Sequence, residues 1–276
     1  MSRLLLVLLA AVVLNGCTSA FFFPQRQMIA SPADAGLLFE DVFFASADGT
    51  QLHGWWLPSR STPHGTVVFL HGNAENISTH FANVFWLPQA AFNVFLFDYR
   101  GYGRSEGRAE LPGLVADAEA ALRYTVERLA DPHQKIIVFG QSLGGALAIH
   151  VAANSPLKSR LAGVVVESAF SDYRDIAREK LASAWLTWPL QWPLSWTVNN
   201  DYSPLASVAK IAPVRLLIIH SRKDPIIPFW HGQRLYQEAV PPKTLWLTAD
   251  GEHISTTTHL TGRQRLIDYF NALPGQ

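Results

Sequence analysis

The chain has 276 residues, of which 49% are hydrophobic and 16% charged, enough apolar mass for one α/β domain with a large buried core. Lys and Arg number 22 and Asp and Glu 22, so no net charge favours nucleic acid or an anionic surface through long-range attraction. Cys17 is the single cysteine, which excludes an intramolecular disulfide.

The N-terminus reads as a targeting segment. Arg3 supplies a positive charge, and Leu4 to Leu14 form an apolar run too short to span a bilayer comfortably. Leu14-Asn15-Gly16-Cys17 then resembles a bacterial lipoprotein box. That resemblance implies a signal peptide over residues 1–16, cleavage before Cys17 and lipidation of Cys17. It places the protein in the bacterial cell envelope, membrane-anchored and facing the periplasm or exterior. Residues 17–35 read as a tether or loosely packed lead-in, with Phe21-Phe22-Phe23 as a contact for membrane or core.

Residues 36–276 read as the folded domain. Phe39 to Phe44 and Gln51 to Leu57 are predicted strands around an Asp48-Gly49 hairpin signal. From Thr66 the pattern alternates between strands and helices. Val67–Leu70, Val94–Phe97, Ile136–Phe139, Val164–Val166 and Leu216–Ile219 are continuous apolar runs, with Thr244–Leu247 a weaker one. Such runs suit strands buried on both faces of a parallel sheet. Between Pro112 and Ala130, the apolar residues Leu114, Val115, Ala118, Ala121, Leu122, Val126 and Leu129 mark one helical face. Repeated β-α units predict a mostly parallel sheet flanked by helices, with its chemistry at the carboxyl ends of the strands.

One of those ends carries Gly140-Gln141-Ser142-Leu143-Gly144, directly before the helix-like Gly145–Ile149. Strand, glycine-flanked serine and helix together make a nucleophile elbow. A serine hydroxyl needs a neighbouring base, and the base needs an acid to fix its tautomer. Asp224, just past the Leu216–Ile219 run, is the candidate acid, and His253, just past the Thr244–Leu247 run, the candidate base. Asp172, Asp175 and Asp201 read as solvated charges. His259 reads as a surface residue of a terminal helix, and His220 as a packed or hydrogen-bonded one. The backbone N–H groups of Leu143 and of Asn73, in His71-Gly72-Asn73, are the candidate oxyanion donors.

These segments, with Asp98-Tyr99-Arg100-Gly101-Tyr102-Gly103-Arg104-Ser105-Glu106-Gly107 and Asp224-Pro225-Ile226-Ile227-Pro228, resemble α/β-hydrolase-fold serine hydrolases of the abhydrolase-domain and serine aminopeptidase-like branch. The resemblance spans roughly residues 39–270 and implies an α/β-hydrolase fold with the order Ser, Asp, His along the chain. It implies hydrolysis of carboxylic esters or thioesters, with a small or lipid-like acyl substrate and neither metal nor organic cofactor. Two departures stand out: Ile254-Ser255 replaces an Asn-Asp common after the histidine, and Ser221 replaces a glycine common before the acid. A peptidase of the aminopeptidase type and a non-catalytic binding lipoprotein are the alternatives.

Between the Val164 and Leu216 runs, about 45 residues interrupt the β-α rhythm. The resemblance makes roughly 170–207 a cap over the site. Trp185, Trp188, Trp192 and Trp196 recur there among prolines, which favour short broken helices. They read equally as an apolar surface for acyl chains or lipid and as ordinary packing against the sheet.

Overall fold

The computed structural model describes residues 21–183, 185–249 and 251–275. The expected signal segment and Cys17 lie outside the described residues. Eight strands form one sheet: β1 (Glu40–Ala45), β2 (Gln51–Leu57), β3 (Gly65–Leu70), β4 (Phe92–Phe97), β5 (Ile136–Gln141), β6 (Leu161–Glu167), β7 (Arg215–Ser221) and β8 (Lys243–Thr248). Their spatial order is β8-β7-β6-β5-β3-β4-β2-β1. β1 and β2 form an antiparallel hairpin and β2 runs antiparallel to β4, while every other pairing is parallel. The hairpin closes where the Ser46 N–H donates to the Thr50 carbonyl at 2.9 Å, around Gly49 at φ +86°.

Side-chain alternation sorts the inner strands into two cores, as the two-residue strand period requires. Val68 and Leu70 of β3, Val138 of β5, Val164 and Val166 of β6, and Leu216 and Ile218 of β7 pack on one face. They meet α1 (Leu111–Arg128) and α2 (Leu143–Asn154). Val67, Phe69, Ile137, Phe139, Val165, Leu217 and Ile219 pack on the other, against Leu266 and Phe270 of the C-terminal helix Leu260–Asn271. Fully burying each such side chain stabilises the fold by about 1.5–3 kcal/mol before entropy is counted. β8 is an edge strand with none of its residues fully buried, which accounts for its weaker sequence signal.

The strands are longer than the apolar runs that predict them. β6 starts at Leu161 and ends on Glu167, a charged residue that is nevertheless buried. The cap comprises α3 (Tyr173–Ala182), a tight turn over Trp188–Leu190, α4 (Gln191–Trp196) and a single helical turn at Pro204–Ser207. Asp172 starts α3 by accepting from the N–H groups of Arg174 and Asp175, a helix-capping role. The cap tryptophans are not packed against the sheet: Trp185 is 81% exposed and Trp192, the least exposed of the four, 53%.

The expected loose tether differs most. From Phe21 onward the lead-in is bound to the domain. Phe23–Pro24 pair in parallel with Ala74–Glu75. Asn76 Nδ2 donates to the carbonyls of Gln25 and Gln27 at 3.0 and 2.7 Å, and the Arg26 guanidinium donates to those of Ser105 and Gly107. These partners lie some fifty to eighty positions away, so no local pattern shows them.

Candidate active site

The parallel strands deliver their loops to one end of the sheet, and the elbow sits centrally there. Ser142 follows β5 with φ 54° and ψ −117°, a left-handed backbone rare for a residue with a side chain. Its N–H donates to the Glu167 carbonyl at 2.9 Å, and its carbonyl accepts from the Ala146 N–H at 3.1 Å. Two glycines permit this turn. A Cβ on Gly140 would sit 2.2 Å from the Gly144 carbonyl oxygen, and one on Gly144 would sit 2.0 Å from that of Leu70. Both obstacles are backbone and cannot swing aside. Gly144→Ala is therefore expected to destabilise the fold by about 3 kcal/mol or more. An unchanged urea midpoint for that variant would contradict this packing.

Asp224 and His253 meet from loops after β7 and β8. His253 Nδ1 lies 2.8 Å from Asp224 Oδ2 and 3.0 Å from Oδ1, so Nδ1–H donates and Nε2 is left as the acceptor. Asp224 Oδ1 also accepts from the N–H groups of Ile226 and Ile227 at 2.8 and 2.9 Å. His220 Nε2 donates to the Ile227 carbonyl at 2.9 Å and lies 3.5 Å from Asp224 Oδ2. Burial alone would raise the Asp224 carboxyl. The neighbouring His220 ring and the hydrogen bonds from His253 and the Ile227 amide outweigh it and hold the group well below the usual carboxylate range. His220, read from the sequence as a packed or hydrogen-bonded histidine, thus also supports the acid.

Glu167 escaped the sequence reading. Its carboxylate, buried at the end of β6, accepts from Gln141 Nε2 at 2.8 Å on one oxygen. The other accepts from the N–H groups of Ser255 and Thr256 at 3.1 and 2.8 Å. One side chain therefore ties the residue before the serine to the loop after the histidine, and Ser168 Oγ donates to the His253 carbonyl beside it. Its only signal in the sequence is a charge closing an apolar run. Glu167→Gln puts an amide donor against donors already in place, and is expected to lower kcat about 10-fold with KM little changed, at a cost of about 1–3 kcal/mol in stability. Steady-state kinetics with urea unfolding check this; unaltered kcat would remove Glu167 from the positioning of His253.

The loop bearing Asn73 is braced from beneath. Tyr102 Oη donates to the Asn73 carbonyl at 2.8 Å and Tyr99 Oη to that of His71 at 3.1 Å. Buried Asp98 Oδ1 accepts from the Ile77 N–H at 2.9 Å. The Asp98–Gly107 segment so fixes the loop bearing Asn73. Ser105 is buried and its Oγ donates to the Asp98 carbonyl. Burial drives the His71 imidazole well below its ordinary value, so it is neutral.

Ser142, His253, Asn73 and Leu143 line one cavity of about 570 Å³, and Asp224 joins them through His253. Its walls are chiefly apolar: Phe170, Ile176, Leu181 and Val198 from the cap, Ile226 and Ile227 after β7, and Phe21–Phe23 from the lead-in. Among the described residues lining it there is no Asp or Glu, and Lys180, whose ammonium donates to the Ile226 carbonyl, is its one Lys or Arg. Also among the described residues, no cluster of three or more His, Cys, Asp or Glu is placed to hold a metal ion. Asp175 is paired with Arg234 at 2.7 Å, away from His253, and exposed His259 precedes the terminal helix.

The serine aminopeptidase S33 family model (Hydrolase_4) matches residues 61–207. The chain belongs to this family. It is 36% identical over 238 residues to the protein YfhR of Escherichia coli K12, covering 83% of this chain and 80% of that one. It is 30% identical to the α/β-hydrolase domain-containing protein WAV2 of Arabidopsis thaliana, over 82% of this chain and 76% of WAV2. Among solved structures it resembles the Pyrococcus furiosus esterase Pf2001, with a TM-score of 0.71 at 23% identity, covering 91% and 96% of the two chains. An acetyl xylan esterase from Paenibacillus sp. R4 superimposes with a TM-score of 0.66 at 21% identity, covering 89% and 88%. The architecture of this S33-family member is an α/β-hydrolase fold.

Proposed function

We propose that this S33-family chain is a serine hydrolase cleaving carboxylic esters or thioesters of acyl chains. The observation that carries the reading is the Asp224–His253 pair, whose histidine lines an apolar cavity together with Ser142. Ser142 Oγ attacks the acyl carbonyl carbon while His253 Nε2 takes its proton. The oxyanion is held by the N–H groups of Asn73 and Leu143, the latter at the start of α2. As the intermediate collapses, His253 returns the proton to the departing alcohol or thiol, leaving Ser142 acylated. His253 then deprotonates a water, which attacks the acyl carbon, and the acid leaves as Ser142 regains its proton. Asp224 orients His253 throughout and stabilises its imidazolium.

The lining supports acyl substrates over aminoacyl ones. A peptidase that trims N-termini must recognise a free ammonium, and no described residue lining this cavity is a carboxylate. Apolar walls instead suit a hydrocarbon chain, at about 25 cal/mol per Å² of apolar surface buried. Lipidation of Cys17, with anchoring in a bacterial envelope, completes the proposal. The full chain in mild detergent, assayed on p-nitrophenyl esters from acetate to palmitate, an acyl thioester and leucine p-nitroanilide, tests it. Turnover favouring esters or thioesters, with an optimum beyond acetate, is expected. Fastest turnover on the anilide would transfer the assignment to peptide chemistry.

A further inference from the structure

The cap presents a surface that the reaction does not use. Trp185, Leu186, Trp188, Leu190, Trp192 and Trp196 are all more than half exposed within twelve residues of chain. Residues 183–200 contain no Asp, Glu, Lys or Arg. Contiguous exposed apolar surface marks an interaction site, and tryptophan is favoured where hydrocarbon meets water. This stretch is bracketed by cavity-lining residues, Lys180 and Leu181 before it and Val198 after it. A second apolar element, Phe21–Phe23, lines the same cavity. The N-terminal run Leu4–Leu14 lies just upstream of Phe21–Phe23, which help to wall the cavity and are held there by bonds to Asn73. Four residue steps separate Cys17 from Phe21, and an extended chain covers at most about 14 Å in that distance.

We propose that the cap face bearing Trp185, Trp188, Trp192 and Trp196 docks on a phospholipid bilayer, with the short N-terminal link holding the cavity against the same surface. Two apolar elements far apart in sequence, Phe21–Phe23 and the cap, border one cavity, and the link back to Cys17 is too short to let that cavity stand off from a membrane holding the lipid proposed there. The docking needs no particular chemistry at Ser142. Under the hydrolase reading it lets an acyl chain pass from lipid to the cavity without crossing water.

The test places the full chain in vesicles of equal parts phosphatidylethanolamine and phosphatidylglycerol whose acyl chains carry bromine, a short-range quencher of tryptophan fluorescence. The fourfold variant W185S/W188S/W192S/W196S is compared in the same vesicles. Trp55, Trp56, Trp86, Trp230 and Trp246 remain in both proteins. Strong quenching of the wild type, most of it lost in the fourfold variant, is expected. Should that variant lose its cooperative melt, W185S alone, the most exposed of the four at 81%, replaces it with the same expected direction. Equal quenching in both proteins would overturn the proposal. So would a wild-type dimer in detergent that the substitutions dissociate while the tryptophans remain unquenched by lipid, because the face would then belong to a second copy. Since quenching is read without substrate, a failure here is distinct from a failure of the hydrolase assignment.

Discussion

Ser142→Ala is expected to lower ester turnover by about 10⁴- to 10⁶-fold, with the melting temperature little changed. The size follows from chemistry: without the hydroxyl no acyl-enzyme forms, and only cavity binding and the oxyanion donors are left to assist direct attack by water. Stability survives because the contacts that set the elbow, to the Glu167 carbonyl and from the Ala146 N–H, use the backbone of residue 142. The left-handed φ of 54° disfavours alanine about as much as serine, so the strain is shared by both proteins. Rates on a p-nitrophenyl ester, with thermal unfolding followed by circular dichroism, check both halves. Turnover within about 10-fold of wild type would remove Ser142 from the chemistry.

Asp224→Asn should cost about 10⁴-fold in kcat while leaving the shape of the site intact. The backbone explains why so small a change acts so strongly. The N–H groups of Ile226 and Ile227 both donate to Oδ1, so an amide at this position must keep its oxygen there. Its NH₂ is then turned toward His253 Nδ1 in place of the Oδ2 that accepts at 2.8 Å. The imidazole is forced to accept at Nδ1 and to carry its proton on Nε2, where it cannot receive one from serine. Stability moves in a defined direction as well. A carboxyl held below its ordinary value stabilises the fold fully above an unfolded-state pKa of about 3.9, and that contribution is lost as pH falls through the folded-state value. The stability gap between wild type and D224N is expected to narrow as pH falls below about 4, where the carboxylate begins to take up its proton. Urea unfolding from about pH 4 downward measures it, and a gap that widens there as pH falls would contradict the hydrogen-bonding pattern around Asp224.

Much of this was readable in the chain because the responsible forces are local. Val67–Leu70 and Ile136–Phe139 are continuous apolar runs because their strands are buried on both faces, and Gly140 and Gly144 flank the serine because backbone fills the space a Cβ would need. Asp224 and His253 stand just past successive strand runs, where the topology gathers loops. What the sequence withheld depends on distant partners. Glu167 can be buried without a cation only because Gln141, Ser255 and Thr256 bring it N–H donors. Phe21–Phe23 wall the cavity only because the lead-in pairs with Ala74–Glu75. Spacing in the tryptophan-rich segment suits packing and exposure alike, and the folded cap leaves the four rings in solvent.

Covalent labelling by a fluorophosphonate probe, with the modified peptide located by mass spectrometry, tests the central claim most directly. A serine activated by His253 should be phosphonylated stoichiometrically at Ser142, and labelling should vanish in S142A and fall steeply in D224N. Well-folded wild-type protein that stays unlabelled, or that is labelled at another serine, would contradict the acyl-enzyme account and favour a hydrolase scaffold used for binding.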